Sequence, residues 1–266
     1  MTVNIDEEAC TGCGVCAEVC IQGLIAPPEG GTPPRIPDEE CIGCGQCEAF
    51  CPTGALVRRP DGMERAVPAI DPAVLGQYMK SRRSVRQYLP EPVPRETIEA
   101  VLEIARYAAS AGNGQPVEWL VIHDPGQVRT VAGLVVDWMR GLAGSDHPMS
   151  AYVPHLVAAW DDGVDMICRG APHLLVPHVP EGNPMASTDA IIALTHVDVA
   201  APAFGLGTCW AGFVAMSREY APLREFYGLP EGRVPAYAMM FGYPRYRPQQ
   251  VPGRKPLRVT WRGERR

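Results

Sequence analysis

Eight of the chain's ten cysteines lie within its first 51 residues, and they repeat one spacing twice. Cys10, Cys13, Cys16 and Cys20 form a C-x-x-C-x-x-C-x-x-x-C run. Cys41, Cys44, Cys47 and Cys51 form a second, followed directly by Pro52. Thiolates are soft ligands, so such sets suit zinc or an iron–sulfur core. Structural zinc takes its cysteines as two separated C-x-x-C pairs. Three cysteines at consecutive two-residue gaps, twice over, fit two 4Fe–4S clusters instead. The glycines between them, Gly12, Gly14, Gly43 and Gly45, let the backbone curl until its N–H groups reach cluster sulfurs. Clusters of this kind exchange single electrons, so the rest of the chain must hold something that accepts or supplies them.

The two runs belong to a longer internal duplication with a 31-residue offset, which also repeats Gly23 as Gly54. A module this short cannot bury a sufficient apolar core, so its clusters must serve as the core. Residues 26–37, rich in Pro and Gly, read as the loop between the halves. Residues 1–57 resemble the bacterial-type two-cluster ferredoxins. The resemblance implies crossed ligation: Cys10, Cys13, Cys16 and Cys51 hold one cluster, and Cys41, Cys44, Cys47 and Cys20 the other. Ile21 stands where those proteins commonly carry proline, which weakens a turn preference and not a ligand.

Composition narrows the setting. A chain of 266 residues has room for one large domain and a small one. No stretch approaches the roughly 18 uninterrupted apolar residues of a membrane span. The N-terminus lacks the basic start and apolar core of a signal peptide, so the expected location is the cytoplasm, where clustered cysteines argue for metal over disulfides. Residues 1–57 carry nine acidic residues against the single base Arg35, a field that could steer an electron-transfer partner. No basic stripe with interleaved aromatics is present, so a nucleic-acid partner is not expected, and without a long apolar stretch neither is a membrane.

Pro60, Asp61-Gly62, Pro68 and Asp71-Pro72 mark a linker over 58–71, leaving 72–266 as the second domain. Within it, Ile98, Val101, Leu102, Ala105 and Ala108 give an apolar face that predicts a helix over 95–111. Residues 117–123 read as a strand closed by an Asp124-Pro125-Gly126 turn, and 127–139 as another helix. Leu174, Leu175 and Val176 form a short strand. Ser187 or Thr188 should cap a long helix carrying Ile191, Ile192, Leu194, Val199 and Ala203 and stopped by Gly205. A last strand is expected over 236–241. Helices and strands mix without regular βαβ spacing, which favours an α+β fold.

Neither G-x-G-x-x-G nor a Walker-type loop is present, so a Rossmann site or P-loop has no support. Three other elements occur in order: Ser81-Arg82-Arg83-Ser84-Val85-Arg86-Gln87-Tyr88, then Ser110-Ala111-Gly112-Asn113-Gly114-Gln115-Pro116, then Gly205-Leu206-Gly207-Thr208-Cys209-Trp210-Ala211-Gly212. Pro252-Gly253-Arg254-Lys255-Pro256 follows near the end. Together they resemble the nitroreductase family of FMN-dependent oxidoreductases, over about residues 72–266. The resemblance implies that Arg82, Ser84 and Arg254 hold the FMN phosphate, with Arg83 and Lys255 nearby. Guanidinium groups suit that task because they bind phosphate bidentately. It places Arg86 at the pyrimidine edge of the ring, where positive charge stabilises reduced flavin. Trp210, Ala211 and Gly212 align with the loop whose N–H groups meet the ring near N5. Ser110, Asn113 and Gln115 resemble a segment presented to the flavin by the second subunit of a homodimer. A lysine that some members carry before Ala171 is missing, and Arg169 is its nearest substitute.

Cys209 reads as a small buried packing residue, while His173 and His178 lack carboxylate or cysteine partners at metal-ligand spacing. No Ser/His/Asp order indicates hydrolase chemistry. The expectation is thus an α+β nitroreductase-like FMN domain behind a small ferredoxin-like domain. It would pass electrons between two 4Fe–4S clusters and FMN to reduce a small-molecule acceptor of the nitroaromatic, quinone or enone class. Reduced ferredoxin or NAD(P)H is the expected donor. The alternatives are an FMN-dependent dehydrogenase discharging through the clusters, and a non-catalytic electron-transfer flavoprotein.

Overall fold

A two-stranded antiparallel ribbon ties the ends of the cysteine-rich segment together: β1 (Asn4–Ile5) pairs with β2 (Leu56–Val57). Between them lie two single-turn helices, α1 (Val15–Glu18) and α2 (Gln46–Ala49), one in each half of the duplication. The apolar cluster here is small, built on Val3, Cys16, Ile25 and Leu56. The computed structural model describes residues 3–28, 30–37, 40–57 and 69–263. Most of the expected linker (58–68) and three acidic residues of the expected field (Glu29, Asp38 and Glu39) lie outside the described residues.

The chain forms two units: Met1–Ala69 together with Ala109–Pro116, and Ile70–Ala108 together with Val117–Arg266. The second unit begins with α3 (Pro72–Ser81), where the Asp71 carboxylate accepts the N–H groups of Ala73 (2.8 Å) and Val74 (3.1 Å) behind a proline in the first turn. Then come α4 (Arg95–Ala105), β3 (Glu118–Ile122), α5 (Pro125–Arg140), α6 (Val153–Asp161) and β4 (His173–Pro180). They are followed by α7 (Ala186–Ala200), β5 (Gly207–Trp210), α8 (Gly212–Met216), α9 (Ala221–Tyr227), β6 (Arg233–Pro235) and β7 (Met239–Gly242). The strands make one antiparallel sheet in the order β3-β4-β7-β5, with β6 also pairing to β4. No described helix is long and apolar enough to cross a membrane.

Helices cover both faces of the sheet, and strand alternation divides the core accordingly. Leu174, Val176 and Met240 pack with Val128, Val131, Val135 and Met139 of α5. Leu175, Met239 and Phe241 pack with Ile98 and Val101 of α4 and Leu194 and Val197 of α7. A strand buried on both faces shows a continuous apolar run instead of alternation.

Several expected boundaries move. Asp124-Pro125-Gly126 is not a free turn but the start of α5, because the Asp124 side chain accepts the Gln127 N–H at 2.8 Å with Pro125 in the first turn. The helix expected over 95–111 ends at Ala105, and a single 3₁₀ turn, Ala111–Asn113, follows. Neither Ser187 nor Thr188 caps α7; both lie inside its first turn, and no side chain caps it. The last strand starts at Met239, three residues later than expected, after β6 has paired with β4.

His173, fully buried at the start of β4, acts as a latch. Its Nε2 accepts the Val93 N–H at 2.8 Å, so its Nδ1 carries the proton and donates to the His123 carbonyl at 2.8 Å. His123 returns the tie by donating from Nε2 to the Val93 carbonyl at 2.8 Å, and the two rings stack 4.3 Å apart. Both nitrogens of His173 are thus used by backbone. Burial pushes its pKa from 6.5 down to about 4. The unfolded chain therefore binds the extra proton first. Stability that is complete above about pH 6.5 is expected to fall as pH drops through about 4, by up to roughly 3 kcal/mol. Thermal melts of wild type across that window should show the decline. His173→Phe, which keeps a ring but strands the Val93 N–H, should be less stable by about 1–3 kcal/mol at neutral pH. It should also lack the acid-side slope; an identical slope in the variant would assign it to other groups.

Candidate functional site

Two cavities in the first unit gather the eight cysteines. One, an open cavity of ≈ 350 Å³, is lined by Cys10, Cys13, Cys16 and Cys51, with Pro28, Pro34 and Leu56 among its walls. The other, ≈ 430 Å³, is lined by Cys41, Cys44, Cys47 and Cys20, with Val3, Ile25 and Ile36. Each run thus gives three cysteines to one cavity and its fourth to the other. All ten cysteines are free thiols. The turns depend on glycine: Gly12 and its duplicate Gly43 have φ of 66° and 63°. A Cβ on Gly12 would also stand 2.7 Å from Gly31 Cα.

The sulfurs face backbone donors. Burial alone would raise the Cys20 thiol, but the N–H groups of Leu24, Gln22, Ile25 and Gly23 point at it and carry its pKa below the ordinary value. Cys51 is similar: burial opposes ionisation, and the side chain and N–H of Thr53, with the N–H groups of Ala55 and Leu56, outweigh it. Cys16 and Cys47 shift upward because burial dominates. Four convergent sulfurs, largely apolar walls and N–H donors aimed at sulfur fit the cluster chemistry expected from the spacing.

Ser110, Asn113 and Gln115 form one hydrogen-bonded group in the same unit. Gln115 donates from its backbone N–H to Ser110 Oγ (3.0 Å) and from Nε2 to Asn113 Oδ1 (3.1 Å). Asn113 Nδ2 then donates to the carbonyl of Gly43 at 3.0 Å, in the loop between Cys41 and Cys44. Asn113 and Gln115 have φ of 54° and 45°, the left-handed region that costs a non-glycine residue energy. Sequence reasoning placed these residues with the flavin and missed their tie to the cysteine loop.

The second unit brings the arginine and glycine motifs together. After α3 the chain is extended, and the Val85 N–H donates to the Thr208 carbonyl at 2.8 Å beside a parallel bridge between Ser84 and Thr208. Gly207 lets this happen: a Cβ there would lie 2.5 Å from Val85 Cγ2. Arg83 Nη1 donates to the carbonyls of Lys80 (2.7 Å) and Arg82 (2.6 Å). Its Nη2 is shielded from solvent and has no partner among the described residues. Arg82 Nη1 lies 3.3 Å from Asp198 Oδ2, while its Nε and Nη2 make no hydrogen bond among the described residues. Arg86 is exposed, with Nη1 3.5 Å from the Ser84 carbonyl. Unused guanidinium donors in one short segment fit an anion such as phosphate.

Trp210 Nε1 donates to Asp198 Oδ2 at 2.9 Å, and its ring meets the Tyr237 ring edge-on at 5.1 Å. The buried Ala211 donates its N–H to the Ala238 carbonyl (2.9 Å), and Gly212 opens α8. Cys209 is buried; burial raises its pKa, opposed by the charges of Arg86 and Arg169. Arg169 itself has a left-handed backbone (φ 59°). Arg254 and Lys255 are not brought to this group. They are exposed, outside any helix or strand, and make no hydrogen bond or ion pair among the described residues. Asp198 and Thr208 were missed as site residues. The available signal was a second carboxylate, after Asp189, near the end of a largely apolar helix and ten residues before a buried threonine.

A family model described as "Nitroreductase family" matches residues 79–243, and one described as "4Fe-4S dicluster domain" matches residues 2–52. A protein of Methanothermobacter thermautotrophicus named as an NADH dehydrogenase/NAD(P)H nitroreductase is 25% identical over 172 residues, covering 65% of this chain and 78% of that protein. An FMN reductase [NAD(P)H] of Bacillus subtilis is 26% identical over 177 residues, covering 65% of this chain and 67% of that protein. Among solved structures, the nitroreductase of Bacteroides fragilis with bound FMN superimposes with a TM-score of 0.57 at 20% identity. That match covers 70% of this chain and 95% of the other, a likeness of fold.

The close approach of Val85 to Gly207 is the contact most sensitive to a single methyl. Gly207→Ala is expected to destabilise the second unit by about 1–3 kcal/mol through overpacking. Chemical denaturation followed by tryptophan fluorescence should read the loss. A variant as stable as wild type would show that this approach does not hold the two motifs together.

Proposed function

The chain belongs to the nitroreductase family, and from that premise we propose that it passes electrons between two 4Fe–4S clusters and FMN to reduce a small organic acceptor of the nitroaromatic, quinone or enone class. The observation that carries this reading is the presence, in one chain, of two four-cysteine cavities and a segment of guanidinium groups with unused donors. FMN as the flavin is supported by the bound FMN of the Bacteroides fragilis nitroreductase. NAD(P)H is supported as a donor, beside reduced ferredoxin, by the name of the Bacillus subtilis relative. When bound, FMN interconverts single-electron exchange and two-electron delivery to an organic acceptor.

The residues divide that work. Cys10, Cys13, Cys16 and Cys51 hold one cluster and Cys41, Cys44, Cys47 and Cys20 the other, as the two cavities group them. Arg82, Ser84 and Arg254 hold the phosphate end, with Arg83 and Lys255 nearby. Arg86 supplies positive charge at the pyrimidine edge, and the 210–212 backbone supports the ring near N5. Ser110, Asn113 and Gln115 serve the flavin of a second subunit in a homodimer. The working division is a cluster domain over 1–57, a linker over 58–71 and the flavin domain over 72–266, in a cytoplasmic enzyme. Protons come from solvent, since no general acid stands among the groups assigned here.

Anaerobic reductive titration, followed by visible and EPR spectra, should find two 4Fe–4S clusters and one FMN per chain. Cys51→Ala should lose about half the iron, and the loss should fall on the cluster of Cys10, Cys13 and Cys16. Ferredoxin-driven reduction of a nitroaromatic should drop with it. Loss of the cluster of Cys41, Cys44 and Cys47 instead would rule out crossed ligation, iron at wild-type content would rule out Cys51 as a ligand, and a flavin-free protein would rule out the function.

A further inference from the structure

Asp198 sits near the C-terminal end of α7 and is only 5% exposed. A buried carboxylate is costly unless hydrogen-bonded, and the negative end of a helix dipole makes this position worse. Three donors converge on it. Thr208 Oγ1 donates to Oδ1, and Trp210 Nε1 donates to Oδ2 at 2.9 Å. Arg82 Nη1 reaches both oxygens, at 3.5 and 3.3 Å. All three come from the motifs assigned to the flavin, one from the arginine segment and two from the glycine-rich loop. They lie 116, 10 and 12 residues away in the chain.

We infer that Asp198 is the positioning residue that couples the two ends of the flavin site. It fixes the Arg82 guanidinium from behind and locks Trp210 with the same carboxylate. The inference rests on the FMN reading above and deepens it. The geometry is selective. Asp198 engages Arg82 through Nη1 alone, and the remaining Nε and Nη2 edge is the fork that binds phosphate bidentately. The Arg82 side chain is 30% exposed, so that edge remains within reach of a ligand while the carboxylate stays covered. On the other side, the Trp210 tie holds the indole at the residue that leads into Ala211 and Gly212. An outer partner that orients a ligand-binding group can matter as much as the group itself. A carboxylate serving only the core would have no reason to select these donors. Its loss would act on stability and not on the flavin.

The test is a double-mutant cycle on the full chain with its clusters in place, reading the FMN dissociation constant by flavin fluorescence. Asp198→Asn keeps the volume but removes the charge and turns one acceptor into a donor. It is expected to weaken FMN about tenfold or more, and to shift the Trp210 indole N–H resonance in ¹⁵N-resolved NMR. In an Arg82→Gln background the same substitution should weaken FMN by a clearly smaller factor, because the guanidinium it positions is gone. Equal factors in both backgrounds would overturn the inference while leaving the FMN reading intact. An unmoved indole resonance would do the same. Wild type that binds no FMN would overturn both. Should Asp198→Asn fail to fold, Thr208→Val removes one donor with the charge pair in place. It is expected to weaken FMN several-fold and to couple to Arg82→Gln; additivity there would equally refute the proposal.

Discussion

In the second unit the arginine segment and the glycine-rich strand are joined by one close approach. Val85 reaches the backbone at Gly207 because no Cβ stands in the way, and its N–H then finds the Thr208 carbonyl at 2.8 Å. That contact joins an arginine segment near residue 83 to a glycine-rich strand near residue 208, motifs far apart in the chain. Once they are joined, burial does the rest. Thr208 and Trp210 must satisfy their side chains within reach of the Arg82 segment, and the one buried carboxylate among them, Asp198, is shared. Moving any one of these donors would take a hydrogen bond or ion pair from the buried Asp198 carboxylate.

The first unit meets a different constraint. Its apolar cluster rests on four buried residues, too few for a stable small domain without another source of order. The eight cysteines that line its two cavities are of the type that binds metal centres. Small domains stabilised by a bound metal centre couple folding to binding. The backbone N–H groups gathered at Cys20 and Cys51 favour the ionised sulfur even against burial, at the two cysteines that line the cavity of the other run.

Motifs with fixed spacing were legible from the sequence; side-chain partnerships across the fold were not. The cysteine runs declare themselves because cluster geometry demands both residue type and interval. The order of the R-R-S, N-x-Q-P and G-L-G-T-C-W elements sufficed to identify the fold. Elements that carry their own periodicity, such as the face of Ile98, Val101 and Ala105, were also readable. Boundaries failed where a side chain decided them: Asp124 caps a helix that composition alone reads as a turn. The short strand of Gly207–Trp210 was hidden because its residues are chosen by what lies on either face, not by strand alternation. Asp198 could not be read at all. A carboxylate announces its partner only when both are close in sequence, and its nearest donor here is ten residues away.

The duplication also conceals an asymmetry that only the fold reveals. In sequence, Gly12 and Gly43 are the same residue of the same repeat, and their backbones share one conformation. Yet Gly12 abuts the Gly31 backbone, whereas the Gly43 carbonyl receives the amide of Asn113, contributed from seventy residues further along. Asn113 holds a left-handed backbone to make that bond, and Gln115 braces it from behind. Strain of this kind persists only where surrounding contacts enforce it. A hydrogen bond to a carbonyl polarises the peptide it belongs to, here the one leading into Cys44. Hydrogen bonding near the sulfurs and solvent exposure are the main means by which a protein sets a cluster's potential. Two sites built from one repeat therefore present unequal surroundings, and the inequality originates in a segment whose chain continues directly into β3 of the second unit.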